Sequence, residues 1–509
     1  MTMEQSATFR RGKMKKLFAL LWFLLFAFPA NAQVLKSSTG NSLTSPVIST
    51  NMVWQGMSQG MQTTLQGFQS STIRSNTNRT RHYSNVAFRY FRVIIPVTYS
   101  LYGTTVYDLF YPTTYSFQVG FEYPYTPATT GIGVRGAVTW GGANYKTYTY
   151  NTWTGAAYVI SDVMDACALG ACVNGQIPAN SFFGLWTTIE APTSAANQIP
   201  YVMNGSNSQQ RYIGQTSSTS SAIVANGGSS DVALTATSIT AEGTNVSGYS
   251  NIFTPAEMLI QVPAGTKSIA GLGDSICFGV GEGANTADTT NGDSMGDSYS
   301  NMGYMARWVN EVLGINFTNV ACRGSDAFLY LATSQNWFAR QQLLVAGNPT
   351  AIFSENGHND ISKGQTAAQM LANAKIVYAQ VLNYLPGIKI VQTAITPDST
   401  STDNFVTTAN QTAAAGWGNS SSIRGTFNDS YVRTVSSGLG NSGYCDPNPA
   451  TEYSYVTQTP ASETSLFNVT GSAYGYTYDG IHYDSYGAYK AATNMVCYNA
   501  SGSLVTNPF

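Results

Sequence analysis

Ser275, His482 and Asp479 are the residues of this chain whose types and spacing could carry out nucleophilic chemistry. Ser268 to Gly283 reads Ser-Ile-Ala-Gly-Leu-Gly-Asp-Ser-Ile-Cys-Phe-Gly-Val-Gly-Glu-Gly. A short apolar run meeting a glycine-flanked Asp274-Ser275 is how a strand ends in a tight turn that presents a serine hydroxyl at the carboxyl edge of a sheet. The tripeptide Gly-Asp-Ser recurs at Gly292-Asp293-Ser294 and Gly296-Asp297-Ser298, but only the first copy follows a strand-like segment. A serine hydroxyl is too weakly acidic to attack an ester unaided; it needs a base, a group that orients the base, and donors for the developing oxyanion. The chain has 3 histidines. His482 lies in Asp479-Gly480-Ile481-His482, where a carboxylate three residues earlier can share one side of a single turn with the imidazole and hold it. Ser275 is therefore read as nucleophile, His482 as base and Asp479 as the orienting group.

Between these lie Gly324, after Asn319-Val320-Ala321-Cys322-Arg323, and Gly357-His358-Asn359-Asp360, after Thr350-Ala351-Ile352-Phe353; each follows an apolar strand-like run. Together these four stretches resemble the SGNH (GDSL-type) serine hydrolases over roughly the last half of the chain: Gly-Asp-Ser-Ile, a lone glycine, Gly-x-Asn-Asp, and Asp-x-x-His near the end, in that order. The resemblance implies an oxyanion hole made by the backbone amides of Ser275 and Gly324 and the side-chain amide of Asn359. It also implies a triad of Ser275, His482 and Asp479, and a helix after the histidine, over the stretch that begins Tyr483-Asp484-Ser485. The fold it implies is a three-layer α/β/α, flavodoxin-like domain around a parallel sheet.

The elements that would position these residues follow from the alternation of apolar runs with helix-like stretches after about Pro263. Strands are expected at 268–273, 315–321, 350–354 and 388–395, and helices near 299–313, 328–345, 366–384 and 484–498. In 366–384, Met370, Ala374, Val377, Val381 and Leu382 recur at helical spacing and read as a packing face. Two inserts interrupt this rhythm. Residues 283–298 carry Asp288, Asp293 and Asp297, whose spacing matches no calcium-ligand pattern and reads as a solvated loop. Residues 397–474, rich in Ser, Thr, Gly and Asn, precede Asp479, and at least one insert is expected to line the substrate cleft. Taking 357–360 as extended, Asn359 facing the site turns His358 away, and Asp360 is expected to tie backbone amides of its loop.

The front of the chain carries no catalytic constellation and reads as strand. Residues 86–97 and 115–123 are rich in β-branched and aromatic residues, the second alternating like a half-buried strand. With 509 residues, two domains are expected beyond a signal segment: 1–32 as signal peptide, 33–262 as a β-sandwich-like accessory domain, and 263–509 as the hydrolase domain. The accessory domain's tyrosines and tryptophans could stack on sugar rings; that they pack the sheets is the preferred reading. His82, beside Arg79 and Arg81, is expected at the surface, and 216–231 reads as low-complexity loop.

Met14-Lys15-Lys16 followed by an apolar run to Phe28, then Ala30-Asn31-Ala32, has the charged head, short apolar body and small-residue cleavage site of a secretory signal. An uncleaved anchor is the weaker alternative, because the run falls short of the roughly 20 residues a bilayer span needs. The 6 cysteines fit an oxidising compartment. Cys167 and Cys172 are near enough to staple one loop; Cys277 with Cys322 and Cys445 with Cys497 are the expected remaining pairs, with buried thiols as the alternative. No cysteine pair has zinc-ligand spacing with histidine nearby, so neither metal nor cofactor is expected. With 10% charged residues and a formal net charge of −2, nothing is basic enough for a nucleic-acid partner.

The expected protein is thus a secreted serine esterase without stable membrane insertion. Its expected substrate is an ester, an acylated carbohydrate such as an acetylated polysaccharide being favoured. A lipase or general carboxylesterase, an acyltransferase using the same triad, and a glycan-binding protein with an inert hydrolase-like half are the alternatives.

Overall fold

The computed structural model describes residues 51–57, 67–68, 75–101, 107–125, 135–170, 172–191, 200–201, 210–213, 253–281, 303–321, 327–333, 337–434, 439–455 and 463–509. The signal-like segment 1–32, the low-complexity stretch 216–231 and the insert 283–298 lie outside the described residues.

Aromatic and β-branched runs make the front half sheet. Its strands are β1 (Met52–Met57), β2 (Ser75–Ser84), β3 (Tyr90–Pro96), β4 (Tyr115–Glu122), β5 (Ser181–Glu190) and β6 (Glu257–Pro263). One antiparallel sheet runs β1, β6, β3 and then Tyr158–Ile160; a second runs Gln210–Ile213, β2, β5, β4 and then Arg135–Ala137. The two meet through aromatic rings: Phe91 of β3 stacks on Phe121 of β4 at 4.4 Å between centroids, and Phe121 lies 5.5 Å from Phe183 of β5.

Two expectations fail here. Residues 115–122 are not half-buried: every residue of β4 is buried, because its polar face is covered as well as its apolar one. On that polar face Glu122 accepts from Arg79 Nε at 2.8 Å, and Arg79 lies 4.1 Å from the Tyr125 ring centroid. Nor is His82 at the surface. It is 0% exposed, hydrogen-bonded to Thr80 Oγ1 at 2.7 Å and stacked 5.3 Å from Phe183. The strand's period of two puts His82 on the face it shares with Asn78 and Thr80, and there the Phe183 ring of β5 covers it.

The second half is built on β7 (Ser268–Gly273), α1 (Ser275–Phe278), β8 (Asn316–Asn319), β9 (Ala351–Glu355), α2 (His358–Ser362), α3 (Ala367–Tyr384), β10 (Lys389–Thr393), β11 (Gly443–Asp446), α4 (Ser485–Thr493), β12 (Val496–Asn499) and β13 (Leu504–Val505). The sheet order is β8, β7, β9, β10, β11, β12, β13. It is parallel from β8 to β11 and antiparallel beyond. The apolar runs of β7 and β9 are buried along their whole length, as parallel strands covered on both faces must be. Thr366 and Gln369 form a capping box at the start of α3, which buries Met370, Ala374, Val377 and Val381 but leaves Leu382 exposed.

The helix expected over 484–498 stops at Thr493, and Val496–Asn499 pairs with β11 instead, Cys497 lying opposite Cys445 in register. The helical stripe of Ala488, Ala491 and Ala492 ends there, and Val496 and Tyr498 suit a strand. The helix expected over 328–345 is two, Phe328–Thr333 and Phe338–Gly347. Cys167–Cys172 and Cys445–Cys497 are disulfides; Cys277 is buried, and Cys322 lies outside the described residues. Among the described residues no helix is long and apolar enough to cross a membrane.

Asn51–Phe509 constitute one compact unit. The chain passes from β6 to β7 in four residues, 264–267, and polar contacts cross between the halves. Ser268 Oγ donates to Gly56 O at 3.1 Å, Asn85 Nδ2 to Ile315 O at 3.1 Å, and Arg340 Nε to Asp108 Oδ1 at 3.2 Å, the last pair fully buried. Glu257 of β6 is also buried at this junction. One carboxyl oxygen accepts from Thr318 Oγ1 at 3.3 Å and the other has no partner among the described residues. Burial without a cation therefore pushes its pKa well above the carboxylate range.

A carboxyl whose folded-state pKa is raised favours the fold fully below its unfolded pKa, near ~4.3, and loses that contribution as pH rises toward the folded value. Glu257→Gln is expected to raise the thermal midpoint at pH ~8, by an amount equivalent to about 1–3 kcal/mol, and to give no gain at pH ~4. Paired melting curves at the two pH values check this.

Candidate active site

β7 ends at Gly273, and Asp274 turns the chain with φ −98° and ψ −150°. Its Oδ1 accepts from Ile276 N at 2.9 Å, capping the one-turn helix α1, which Gly279 closes at φ 85°. Ser275 thus stands at the carboxyl end of a buried strand on a turn fixed at both ends.

The second loop is fixed as tightly. Asp479 Oδ1 accepts from Ile481 N at 2.9 Å and His482 N at 2.8 Å, while its Oδ2 lies 2.7 Å from His482 Nδ1. Thr477 Oγ1 donates to His482 O at 2.7 Å and accepts from Gly480 N at 2.9 Å. The other imidazole nitrogen, Nε2, is 2.8 Å from Ser275 Oγ, across 207 positions of sequence. Burial pushes the Asp479 carboxyl up, but its hydrogen bond to His482, the charge of that ring and the two amides outweigh this and hold it below the usual range. An ionised Asp479 fixes the ring with Nδ1 as donor, which leaves Nε2 to accept from the serine hydroxyl.

Of the expected oxyanion donors, the Ser275 amide begins α1 and Asn359 lies in α2; Gly324 lies outside the described residues. Asn359 Nδ2 donates to Asp274 Oδ2 at 3.0 Å, one residue before the nucleophile. His358 and Asn359 begin a helical turn rather than an extended segment, and the turn separates their side chains. The buried His358 ring packs 4.3 Å from that of Trp417, with Nε2 3.5 Å from Asp398 Oδ2. Asp360 accepts from Phe328 N and Leu329 N, each at 2.9 Å, so it ties amides, though of a neighbouring helix rather than its own loop. Burial pushes its pKa up to about 6 against the pull of those amides.

The stretch 397–474, expected as an insert, is interrupted by β11, the fifth parallel strand of the sheet, and the segments on either side of β11 pack near Ser275 and His482. Ser399 N donates to Gly480 O at 3.0 Å beside His482, and Trp417 and Asp398 flank His358. Inside this stretch, Arg424 donates to Glu452 at 3.1 and 2.7 Å, and Arg433 donates to Asp446 at 2.9 Å and Glu463 at 3.2 Å, all buried. Two features escaped the sequence reading. Tyr478 lies with its ring at 21° to the His482 imidazole and 6.3 Å away, partly exposed; its proximity to His482 in sequence was the available signal. Glu355 closes the buried strand β9 behind Asp274; a carboxylate ending a run as apolar as Ala351-Ile352-Phe353 was the sign that it has a partner.

Residues 272–431 match the model of the GDSL-like lipase/acylhydrolase family, a stretch that includes Ser275, Gly324 and Asn359 and ends before Asp479 and His482. No curated protein matches the chain. Among solved structures, the chain is similar to a family 3 carbohydrate esterase of Clostridium thermocellum, with 12% identity, 45% of this chain and 92% of that one covered and a TM-score of 0.27. It is similar also to a possible lipase of Chitinophaga pinensis, with 15% identity, 46% and 96% covered and a TM-score of 0.27. A third likeness is to AlinE4, an SGNH-hydrolase family esterase, with 18% identity, 26% and 62% covered and a TM-score of 0.19. With the nucleophile turn and the Asn359 turn both inside the matched stretch, the chain is identified as carrying a domain of the GDSL-like lipase/acylhydrolase family.

Proposed function

We propose that this protein is a serine esterase in which Ser275 attacks an ester carbonyl while His482 takes its proton. Asp479 holds the resulting imidazolium, and the amides of Ser275 and Gly324 with the Asn359 side chain receive the oxyanion. The observation that carries the reading is the unbroken series Asp479 to His482 to Ser275, with contacts of 2.7 and 2.8 Å. The imidazolium then gives its proton to the leaving alcohol, and a water activated by the same ring releases the acid from the acyl-enzyme.

The substrate we favour is an acylated carbohydrate, deacetylated outside the cytoplasm after removal of the signal peptide 1–32. The residues from 33 to 262 act in this reading as a β-sandwich-like accessory module. Support for a sugar ester comes from the tyrosines beside the base in sequence. Tyr478 lies 6.3 Å from the His482 ring, and it is partly exposed, as are Tyr474, Tyr476 and Tyr486 in the same stretch of sequence; an aromatic face with a polar tip suits the apolar face of a sugar ring.

Asp479→Asn is expected to lower kcat by about 10²- to 10⁴-fold with KM little changed, because the amide cannot hold the same tautomer of His482. Steady-state kinetics on a chromogenic acetate ester, beside phosphonate labelling that Ser275→Ala abolishes, check the assignment; an unlabelled wild type would favour an inert binding protein. Asp479, held below the usual carboxylate range, is expected to keep its charge as the pH is lowered, so loss of that charge should not limit kcat/KM on mild acidification.

An acetate-release assay on acetylated polysaccharides beside long-chain lipid esters tests the substrate. The polysaccharides are expected to be cleaved, with Tyr478→Ala raising KM about tenfold for them and leaving a small acetate ester unaffected. Preference for the lipid esters would turn the assignment to a lipase.

A further inference from the structure

β9 ends in a group that a strand buried on both faces cannot hold as a lone charge. Glu355 is 2% exposed and Asp274 is 0% exposed, and Glu355 Oε2 accepts from the Asp274 amide at 3.4 Å, so the two carboxyl groups share one buried site. No lysine or arginine among the described residues is ion-paired with either. Two carboxylates present acceptors alone, so a hydrogen bond between them requires a proton.

The surrounding donors say which group carries it. Asp274 is surrounded by donors: Oδ1 accepts from Ile276 N at 2.9 Å and Oδ2 from Asn359 Nδ2 at 3.0 Å. Glu355 Oε2 accepts from Cys277 N at 3.2 Å and Asp274 N at 3.4 Å, which leaves its other oxygen to donate. His358, His482 and Asp360 are the titratable groups facing Asp274, and Tyr304 and Cys277 lie beside Glu355. Burial first, then the charge of Asp274, push the Glu355 carboxyl well above its ordinary range.

We propose that Glu355 is a positioning residue: as a neutral carboxylic acid it donates to the Asp274 carboxylate, and that carboxylate aims the Asn359 amide at the oxyanion. Asp274 is then held from both sides, by the cap of the nucleophile turn and by Asn359, and the two parts of the site keep one geometry. Removing the proton sets two anions side by side in a dry site, where their repulsion opens this linkage. The role of Asn359 rests on the esterase reading above; the shared proton does not.

The test compares wild type, Glu355→Gln and Glu355→Leu on a chromogenic acetate ester, with infrared difference spectra of wild type against Glu355→Gln. Gln keeps an oxygen for the two amides and an N–H for Asp274, whereas Leu keeps neither. Leu is expected to lose about 100-fold in kcat and Gln to recover to within about tenfold of wild type, with KM little changed. The wild type should lose kcat on the alkaline side, and that limb should move up or vanish in Glu355→Gln. The difference spectrum should contain a protonated-carboxyl C=O band of the wild type at neutral pH. Gln no better than Leu, an alkaline limb common to wild type and Gln, or no such band overturns the proposal. Should Leu fail to fold, the Gln profile and the spectrum still decide it. A wild type that takes no phosphonate would sink the esterase reading while the infrared band continues to report the proton.

Discussion

The nucleophile segment and the histidine loop touch at Gly281, where even a methyl group would sit 2.5 Å from the Tyr483 carbonyl oxygen and 2.8 Å from His482 Cβ. With φ at 103°, this position also favours glycine on conformational grounds. The hydrogen bond from Ser275 to His482 spans 207 positions, and the helix Gly303–Arg307 supports the same approach, Gly303 lying against the Ile276 and Cys277 carbonyls and the Tyr304 ring 5.8 Å from that of Tyr483. The histidine loop must be rigid for the contact to persist, and its polar groups are accordingly spent on itself. Asp479 gives one oxygen to two amides and the other to the ring, and Thr477 closes the loop from the opposite side.

A second close approach extends the same constraint outward. Gly480, at φ 85°, lies against Ser399, whose amide donates to the Gly480 carbonyl. The stretch 397–474 is thereby joined to the catalytic loop rather than draped over it. Its own shape rests on the buried charges of Arg424, Arg433, Glu452, Glu463 and Asp446. Such pairs add little net stability, because desolvation offsets their attraction, but removing one partner leaves a buried charge and costs about 3–5 kcal/mol. Their directional hydrogen bonds fix one arrangement of the segment and tie it to the end of β11 at Asp446.

The front sheets are joined to the hydrolase sheet by the same kind of buried polar contact. Arg340 with Asp108, and Glu257 with Thr318, each join a residue of the front half to one of the second half. The strand β7, which leads to Ser275, begins against the front half, through Ser268 and Gly56. The nucleophile turn is anchored from behind by contacts that carry no chemistry themselves.

Much of this was legible in residue order. The four parallel strands from β7 to β10 lie within one or two residues of the apolar runs at 268–273, 315–321, 350–354 and 388–395, and the Asp479 to His482 contact needs only a spacing of three. Turns, caps and short-range hydrogen bonds are settled within a few residues, so local chemistry writes them plainly. What the chain could not declare was which surfaces would be covered. His82 looks like a surface residue beside two arginines, yet all three are buried, because Phe182 and Phe183 of the adjacent strand cover Arg81 and His82 while Glu122, one strand further on, pairs with Arg79. Val496–Asn499 could have extended a helix until β11 offered it a ladder. Glu355 and Asp274, 81 positions apart, acquire their shared proton only where packing removes water from both. Local propensity chose the elements, whereas burial and long-range pairing exist only once distant segments have assembled; that is why the proposed triad could be named from residue order but its support could not.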